Sequence, residues 1–197
     1  MSGDLCLNNY VHNLTVKIKR NRMDELLRDN LRRIKLLILD VDGVLTDGKL
    51  TLSDDGKEFK SFHAHDGIAI RYLLSTKIEI AIITARQSNV VTLKAKEFGI
   101  KYLYQGAKKK INVYRSLLDM LNLERNDVAY MGDDIADLAP MKESLIAVAP
   151  ANASDPIKQI ASIVTRRSGG EGAVRELIEI ILSAKGIYED LLESFSN

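Results

Sequence analysis

Apolar residues along this chain fall into two rhythms. Short, nearly unbroken runs occur at Ile34 to Leu39, Lys77 to Ile83, Ile100 to Tyr104, Asp127 to Met131, Leu145 to Ala149 and Ile163 to Thr165. Runs of this length bounded by turn formers read as strands buried on both faces, as in a parallel sheet. Between them apolar positions recur at helical spacing. One such stretch holds Ile68, Ile70, Tyr72, Leu73 and Leu74; the next is capped by Ser88 or Asn89, reaches Phe98 and stops at Gly99. A third helix is expected from about Lys108 to near Leu123, and a last one from Ala173 to Ala184, with Val174, Leu177, Ile178, Ile181 and Leu182 on its apolar face. Strands alternating with helices predict an α/β fold with a doubly wound, mostly parallel sheet. Lys49 to Leu52 and Lys57 to Phe62 flank Ser53-Asp54-Asp55-Gly56, a turn composition that predicts a small β-hairpin flap.

The ends of the chain read differently. Met1 to Val16 is polar, and Lys17 to Arg33 is rich in charge, with Ile18, Met23, Leu26, Leu27 and Leu31 at roughly helical spacing. This predicts an arm and a short helix over residues 1–33, one domain over 34–185, and a C-terminal tail over 186–197. Gly169-Gly170-Glu171-Gly172 reads as a flexible segment before the last helix.

At 197 residues and 46% hydrophobic content the chain can bury the core of one domain. Lys and Arg number 28 against 27 Asp and Glu, so no overall field draws it to nucleic acid or an anionic membrane. Cys6 is the only cysteine, which excludes an intrachain disulfide. No apolar stretch near the start suits a signal peptide or membrane span, so a cytoplasmic protein is expected.

The chemistry gathers at strand ends. The first run terminates in Asp40-Val41-Asp42-Gly43, at the carboxyl edge where open α/β sheets place ligands. Residues two apart in extended chain share a face, so both carboxylates are expected in one crevice, where they repel unless a cation or proton separates them. A calcium loop fits poorly, because its glycine comes later and its bidentate glutamate is missing. Thr84 ends the second run, and Asp133 and Asp134 follow the fourth. Oxygen donors with open positions suit magnesium better than zinc, and no metal-spaced His or Cys set competes. Thr84 read alone is more often a helix cap than a phosphate contact. Lys108, Lys109 and Lys110 cannot be told apart by residue chemistry, and could form a solvated face.

Asp40-Val41-Asp42-Gly43-Val44, Thr84, Lys110 and Gly132-Asp133-Asp134-Ile135-Ala136-Asp137 together resemble the four ordered motifs of haloacid dehalogenase superfamily phosphatases. From Ile34 to Leu182 the chain is similar to the 3-deoxy-D-manno-octulosonate 8-phosphate phosphatases, notably in Leu36 to Leu45, Ala81-Ile82-Ile83-Thr84, Leu103-Tyr104-Gln105-Gly106 and Gly169 to Glu176. The resemblance implies a haloacid dehalogenase-like, Rossmann-type fold without a separate cap domain. It implies that Asp40 attacks phosphorus, that Asp42 serves as general acid and base, and that Thr84 and Lys110 hold the phosphoryl oxygens. Mg2+ would sit on Asp40, the Asp42 carbonyl and Asp133, with Asp134 and Asp137 orienting its waters. The family's spacing after Gln105-Gly106 selects Lys110. Substrate contacts map onto Asp42, His63, Ala64, His65, Asp66, Gly67, Arg71, Arg86, Lys94 and Lys110, with His63 in place of the family's asparagine and Ala85 in place of its glycine. The implied substrate is a sugar acid phosphate and the implied assembly a homotetramer; the partly apolar hairpin, with Leu50, Leu52, Phe59 and Phe62, predicts in addition that flaps pair between subunits and that each site is closed by a neighbour. A nine-carbon sugar acid phosphate and a noncatalytic sugar-phosphate-binding regulatory role remain open on the residues alone.

Overall fold

The computed structural model describes residues 25–194. Met1 to Val16, with Cys6, and Ile18 to Met23 of the expected arm lie outside them. Six strands form one wholly parallel sheet: β1 (Leu36–Leu39), β4 (Glu79–Ile83), β5 (Tyr102–Tyr104), β6 (Val128–Met131), β7 (Ile146–Ala149) and β8 (Ile163–Val164), in the order β5-β4-β1-β6-β7-β8. Strand β1 is central, with Leu36 opposite both Glu79 and Val128. The order reverses on either side of it, which makes its carboxyl end the switch point where such sheets open a crevice.

Each strand feeds both faces because its side chains alternate. Leu37 and Leu39 of β1 pack with Ile80, Ile82 and Met131 under α2 (Ala64–Leu74) and α7 (Ala173–Lys185). Leu36 and Ile38 pack on the opposite face with Tyr130 and Ile83 under α4 (Lys110–Leu121). All four β1 side chains are fully buried, and each contributes about 1.5–3 kcal/mol by the usual transfer estimate. Helix α3 (Asn89–Phe98) closes on Gly99, whose φ of 82° ends it in the left-handed region, as expected from the sequence. A helix through residues 25–33, α1, lies on the end of α7: Arg32 donates to the Ala184 carbonyl at 2.9 Å and Lys185 to that of Arg32 at 2.6 Å.

Three helices have no counterpart in the sequence reading: α5 (Leu138–Glu143), α6 (Asp155–Ile160) and α8 (Tyr188–Ser194). The first two are six residues long, too short for a helical period to show. Helix α8 occupies the stretch read as a tail and packs against α7 through Tyr188 and Leu191. The hairpin is present but short, pairing β2 (Thr51–Leu52) with β3 (Glu58–Phe59). Phe62 is not part of it; that ring packs edge-on against Phe98 at 6.4 Å. Among the described residues no helix is long and apolar enough to cross a membrane.

The glycine-rich segment is not loose, contrary to its composition. Asn152 holds it to the loop after β1, donating to the Gly43 carbonyl at 2.9 Å and accepting from the Gly169 amide at 2.6 Å. The Gly170 amide donates to Val44 at 3.2 Å. A Cβ on Gly169 would run into the Gly43 carbonyl, so only glycine lets the two backbones meet.

Candidate active site

A cavity of about 260 Å³ opens at the carboxyl edge of β1, β4 and β6, lined by Asp40, Asp42, Gly48, Thr84, Ala85, Arg86, Lys110, Asp133, Asp134, Ala136 and Asp137. The two acids after β1 reach it by different means. The Asp40 amide extends the sheet ladder to Met131 at 3.0 Å. Asp42 lies in a turn whose amides at Val44, Leu45 and Thr46 all converge on the Val41 carbonyl. Both carboxylates do share the crevice, but through this turn rather than through an extended strand. Gly43, with φ of 85°, permits it: a Cβ there would overlap the Asp133 carboxylate.

Lys110 is the buried member of the lysine triplet, while Lys108 and Lys109 are exposed. Its ammonium lies 2.8 Å from Asp40 Oδ2 and 2.7 Å from Asp137 Oδ1. Tyr130 donates to the same Asp137 oxygen at 2.8 Å. Asp137 is fully buried, and with Lys110 and Tyr130 on the same oxygen it aims the Lys110 ammonium. Burial alone would lower the Lys110 pKa, but the Asp40 and Asp137 carboxylates hold it above its ordinary value. Burial, then the charge of Asp137, raises the Tyr130 phenol well above 10 and keeps it a donor.

Negative charge is in excess here. Burial, and then the Asp137 carboxylate, raise Asp40 to about 7. Asp133 is likewise raised to about 7, by burial first and by Asp40 and Asp137 next. Oxygens of Asp40, Asp133 and Asp137 lie within 4.8 Å of one another, and Asp40 Oδ1 is buried without a hydrogen-bond partner. A buried carboxylate oxygen without a donor is costly unless a cation meets it. The donor set is all oxygen, which fits a small hard dication.

Glu58 and Lys60, at the mouth of this site, were missed in the sequence. Side chains alternate along β3 and the residue after it, so Phe59 points to solvent while Glu58 and Lys60 point inward. The Lys60 side chain is 1% exposed; its ammonium donates to Asp42 Oδ1 and lies 3.3 Å from Glu58 Oε1. Arg86 reaches Glu58 Oε1 at 2.9 Å and Asp42 Oδ2 at 3.7 Å. The only local hint was this phase, apolar out and charged in.

Other positions matched to substrate contacts do not line the cavity. Asp66 is buried and accepts from the Arg175 amide at 2.7 Å, in the first turn of α7. Gly67 lies against the Phe98 ring, where a Cβ would clash. The His63 and His65 rings meet edge-on at 4.9 Å, next to Ala64 at the start of α2. Lys94 is paired with Glu97 at 3.0 Å and sits over Phe62 and Phe98, and Arg71 is exposed on α2.

Residues 93–177 match the family of haloacid dehalogenase-like hydrolases. The 3-deoxy-D-manno-octulosonate 8-phosphate phosphatase KdsC of Escherichia coli strain K12 is 43% identical over 157 residues, spanning 80% of this chain and 84% of the relative. A crystal structure of 3-deoxy-D-manno-octulosonate 8-phosphate phosphatase from Yersinia pestis superposes with a TM-score of 0.81 at 40% identity, covering 82% of this chain and 88% of that one. The phosphatase of the same name from Moraxella catarrhalis, solved with magnesium, phosphate and KDO, gives a TM-score of 0.84 at 34% identity, over 85% and 97% of the two chains.

Proposed function

This chain belongs to the 3-deoxy-D-manno-octulosonate 8-phosphate phosphatase family of haloacid dehalogenase-like hydrolases, and on that premise we propose that it is a cytoplasmic, magnesium-dependent phosphatase. Its domain over 34–185 releases 3-deoxy-D-manno-octulosonate and phosphate from the 8-phosphate, a step toward lipopolysaccharide. The observation that supports this best is the Asp40 carboxylate. It is buried at the switch point, with one oxygen held by Lys110 and the other without a hydrogen-bond partner, on the wall of a cavity that Asp42, Thr84 and Asp133 also line.

In this reading Asp40 attacks phosphorus as the bond to the sugar oxygen breaks, giving an aspartyl phosphate. Asp42 delivers a proton to the departing oxygen, then takes one from the water that attacks the aspartyl phosphate and frees Asp40. Lys110 and the Thr84 hydroxyl hold the phosphoryl oxygens as charge shifts across them. Magnesium, held by Asp40, Asp133 and the Asp42 carbonyl, supplies charge neutralisation between nucleophile and phosphate. Asp134 lines the same wall and is placed to orient its waters.

Arg86 stands on the cavity wall for the sugar acid's carboxylate. His63 follows Lys60 by three residues, a span of at most about 10 Å. The α2 start, with His63 to Gly67, is therefore within reach of an eight-carbon chain that outgrows the cavity. Arg71, in the last turn of the same helix, and Lys94, over the Phe62 ring, are the further contacts of this reading. The test is phosphate release from eight- and nine-carbon sugar acid phosphates, each with magnesium and with chelator. Turnover undiminished by chelator would remove the metal from the mechanism, preference for nine carbons would move the substrate, and no turnover of either would leave a binder or regulatory subunit.

The same reading includes a homotetramer. Leu50, Leu52 and Phe59 are 52%, 64% and 56% exposed on the flap, apolar surface that a neighbouring copy would cover. A neighbour over the flap would also exclude bulk water from a site that has no cap of its own. Phe59→Glu is expected to dissociate the assembly and to lower activity at least several-fold, measured together by light scattering and phosphate release across a dilution series. A parent that is monomeric and fully active at every concentration would sink the idea.

A further inference from the structure

Asp42, Lys60, Glu58 and Arg86 form a ring of alternating charge at the mouth of the site, and half of it belongs to the flap. Lys60 touches Asp42 and lies 3.3 Å from Glu58; Glu58 lies 2.9 Å from Arg86; Arg86 lies 3.7 Å from Asp42. Side-chain exposure runs from 1% at Lys60 through 17% at Glu58 and 20% at Asp42 to 45% at Arg86, so the ring closes inward and opens at the guanidinium. That guanidinium offers its Nε and Nη2 edge to two different carboxylates, one nitrogen each. A carboxylate entering from the cavity can take both nitrogens at once in the parallel, two-bond geometry that guanidinium favours.

We propose that Glu58 is an internal stand-in for the substrate's carboxylate: it occupies Arg86 until a sugar acid displaces it, and this exchange makes the flap selective for phosphate monoesters that carry a carboxylate. The inference rests on the phosphatase reading above and adds to it the residue that sets the selectivity. The flap can yield at little cost. Its two strands pair over only two residues each, and Gly48 and Gly56 at its base and tip have φ of 80° and 79°, where glycine turns without strain. Lys60 keeps Asp42 as a partner when Glu58 leaves, so no buried cation is stranded. A phosphate ester without a carboxylate has nothing to offer Arg86, and the Glu58 contact then only competes with it for space.

Glu58→Gln keeps the shape of the side chain and removes its charge. The variant is compared with the parent, in the full chain with magnesium, on the octulosonate phosphate and on p-nitrophenyl phosphate. The quantity read is the ratio of the two kcat/KM values, in which the gain common to both phosphate groups cancels. The ratio is expected to rise roughly three- to fivefold, the scale of a half-exposed ion pair. The Ki of free octulosonate against p-nitrophenyl phosphate hydrolysis is expected to fall by a similar factor. In an Arg86→Leu background the same substitution should bring no gain, because the guanidinium that Glu58 guards is gone. A ratio or Ki in Glu58→Gln equal to or poorer than the parent's overturns the proposal, as does a gain that persists without Arg86. A parent that hydrolyses p-nitrophenyl phosphate but not the octulosonate phosphate retracts the substrate reading instead, which is a separate readout.

Discussion

Asp40→Asn is expected to fold as the parent does and to hydrolyse the octulosonate phosphate at least about a thousandfold more slowly. The substitution changes one oxygen to nitrogen at nearly constant volume. Lys110 retains Asp137 at 2.7 Å, and Asn can still turn its oxygen toward the ammonium. What disappears is a carboxylate held on one oxygen by a buried lysine and left without a hydrogen-bond partner on the other. Asp42→Asn separates the two halves of the reaction. With the sugar substrate it should be as slow as Asp40→Asn, since an alkoxide leaves poorly without a proton. With p-nitrophenyl phosphate the leaving group needs no acid, so the first step should proceed and the second stall. Rapid mixing should then show one equivalent of p-nitrophenolate released in a burst and no steady turnover. Carefully purified Asp40→Asn that worked at the parent rate would end the covalent mechanism.

How far the sequence discloses this site follows from the range of the forces involved. Strands β1, β4 and β6 are legible because burial on both faces demands unbroken aliphatic runs, and the acids that end them stand out against that background. The register of β1 between β4 and β6 then brings Asp40, Thr84 and Asp133 to one edge with no further information. Lys110 needed a family's spacing, because three adjacent lysines differ only in which way the start of α4 turns them. Lys60 was invisible for the opposite reason. Its partner Asp42 lies eighteen residues back across a hairpin, and the alternation along β3 hints only at which way Lys60 points, not at an ion pair whose two halves sit on separate elements. Tyr130 looked like one more strand residue, although its hydroxyl holds the carboxylate that aims Lys110. The glycine-rich segment misled because composition reports freedom of the chain, whereas here small size serves close approach to Gly43.

Asp133→Asn is expected to make the metal-free protein more stable at pH 8 while removing most of the stabilisation that magnesium confers. Asp133 is raised to about 7 by burial and by Asp40 and Asp137, and Asp40 is raised to about 7 as well. A carboxyl whose folded pKa lies above its unfolded value near 3.8 binds its proton more tightly in the folded state. Folded protein therefore holds more protons than unfolded protein between about pH 4 and 7, and stability falls as pH rises through that window. By pH 8 both acids are charged and repel at full strength. Replacing one by an amide relieves that repulsion, and each ~1 kcal/mol relieved is worth roughly 2–4 °C in Tm for a chain of this size. Magnesium relieves the same repulsion in the parent by binding the folded state alone, which raises Tm with its concentration. Thermal melts of both proteins at pH 5 and pH 8, in chelator and in magnesium, check all of this at once. The parent in chelator should lose stability between the two pH values more steeply than Asp133→Asn, and magnesium should flatten the parent's loss. An Asp133→Asn protein less stable than the parent in chelator at pH 8, or one that keeps the parent's full response to magnesium, would mean that the acids at this edge are not held together against their charge for the sake of a cation.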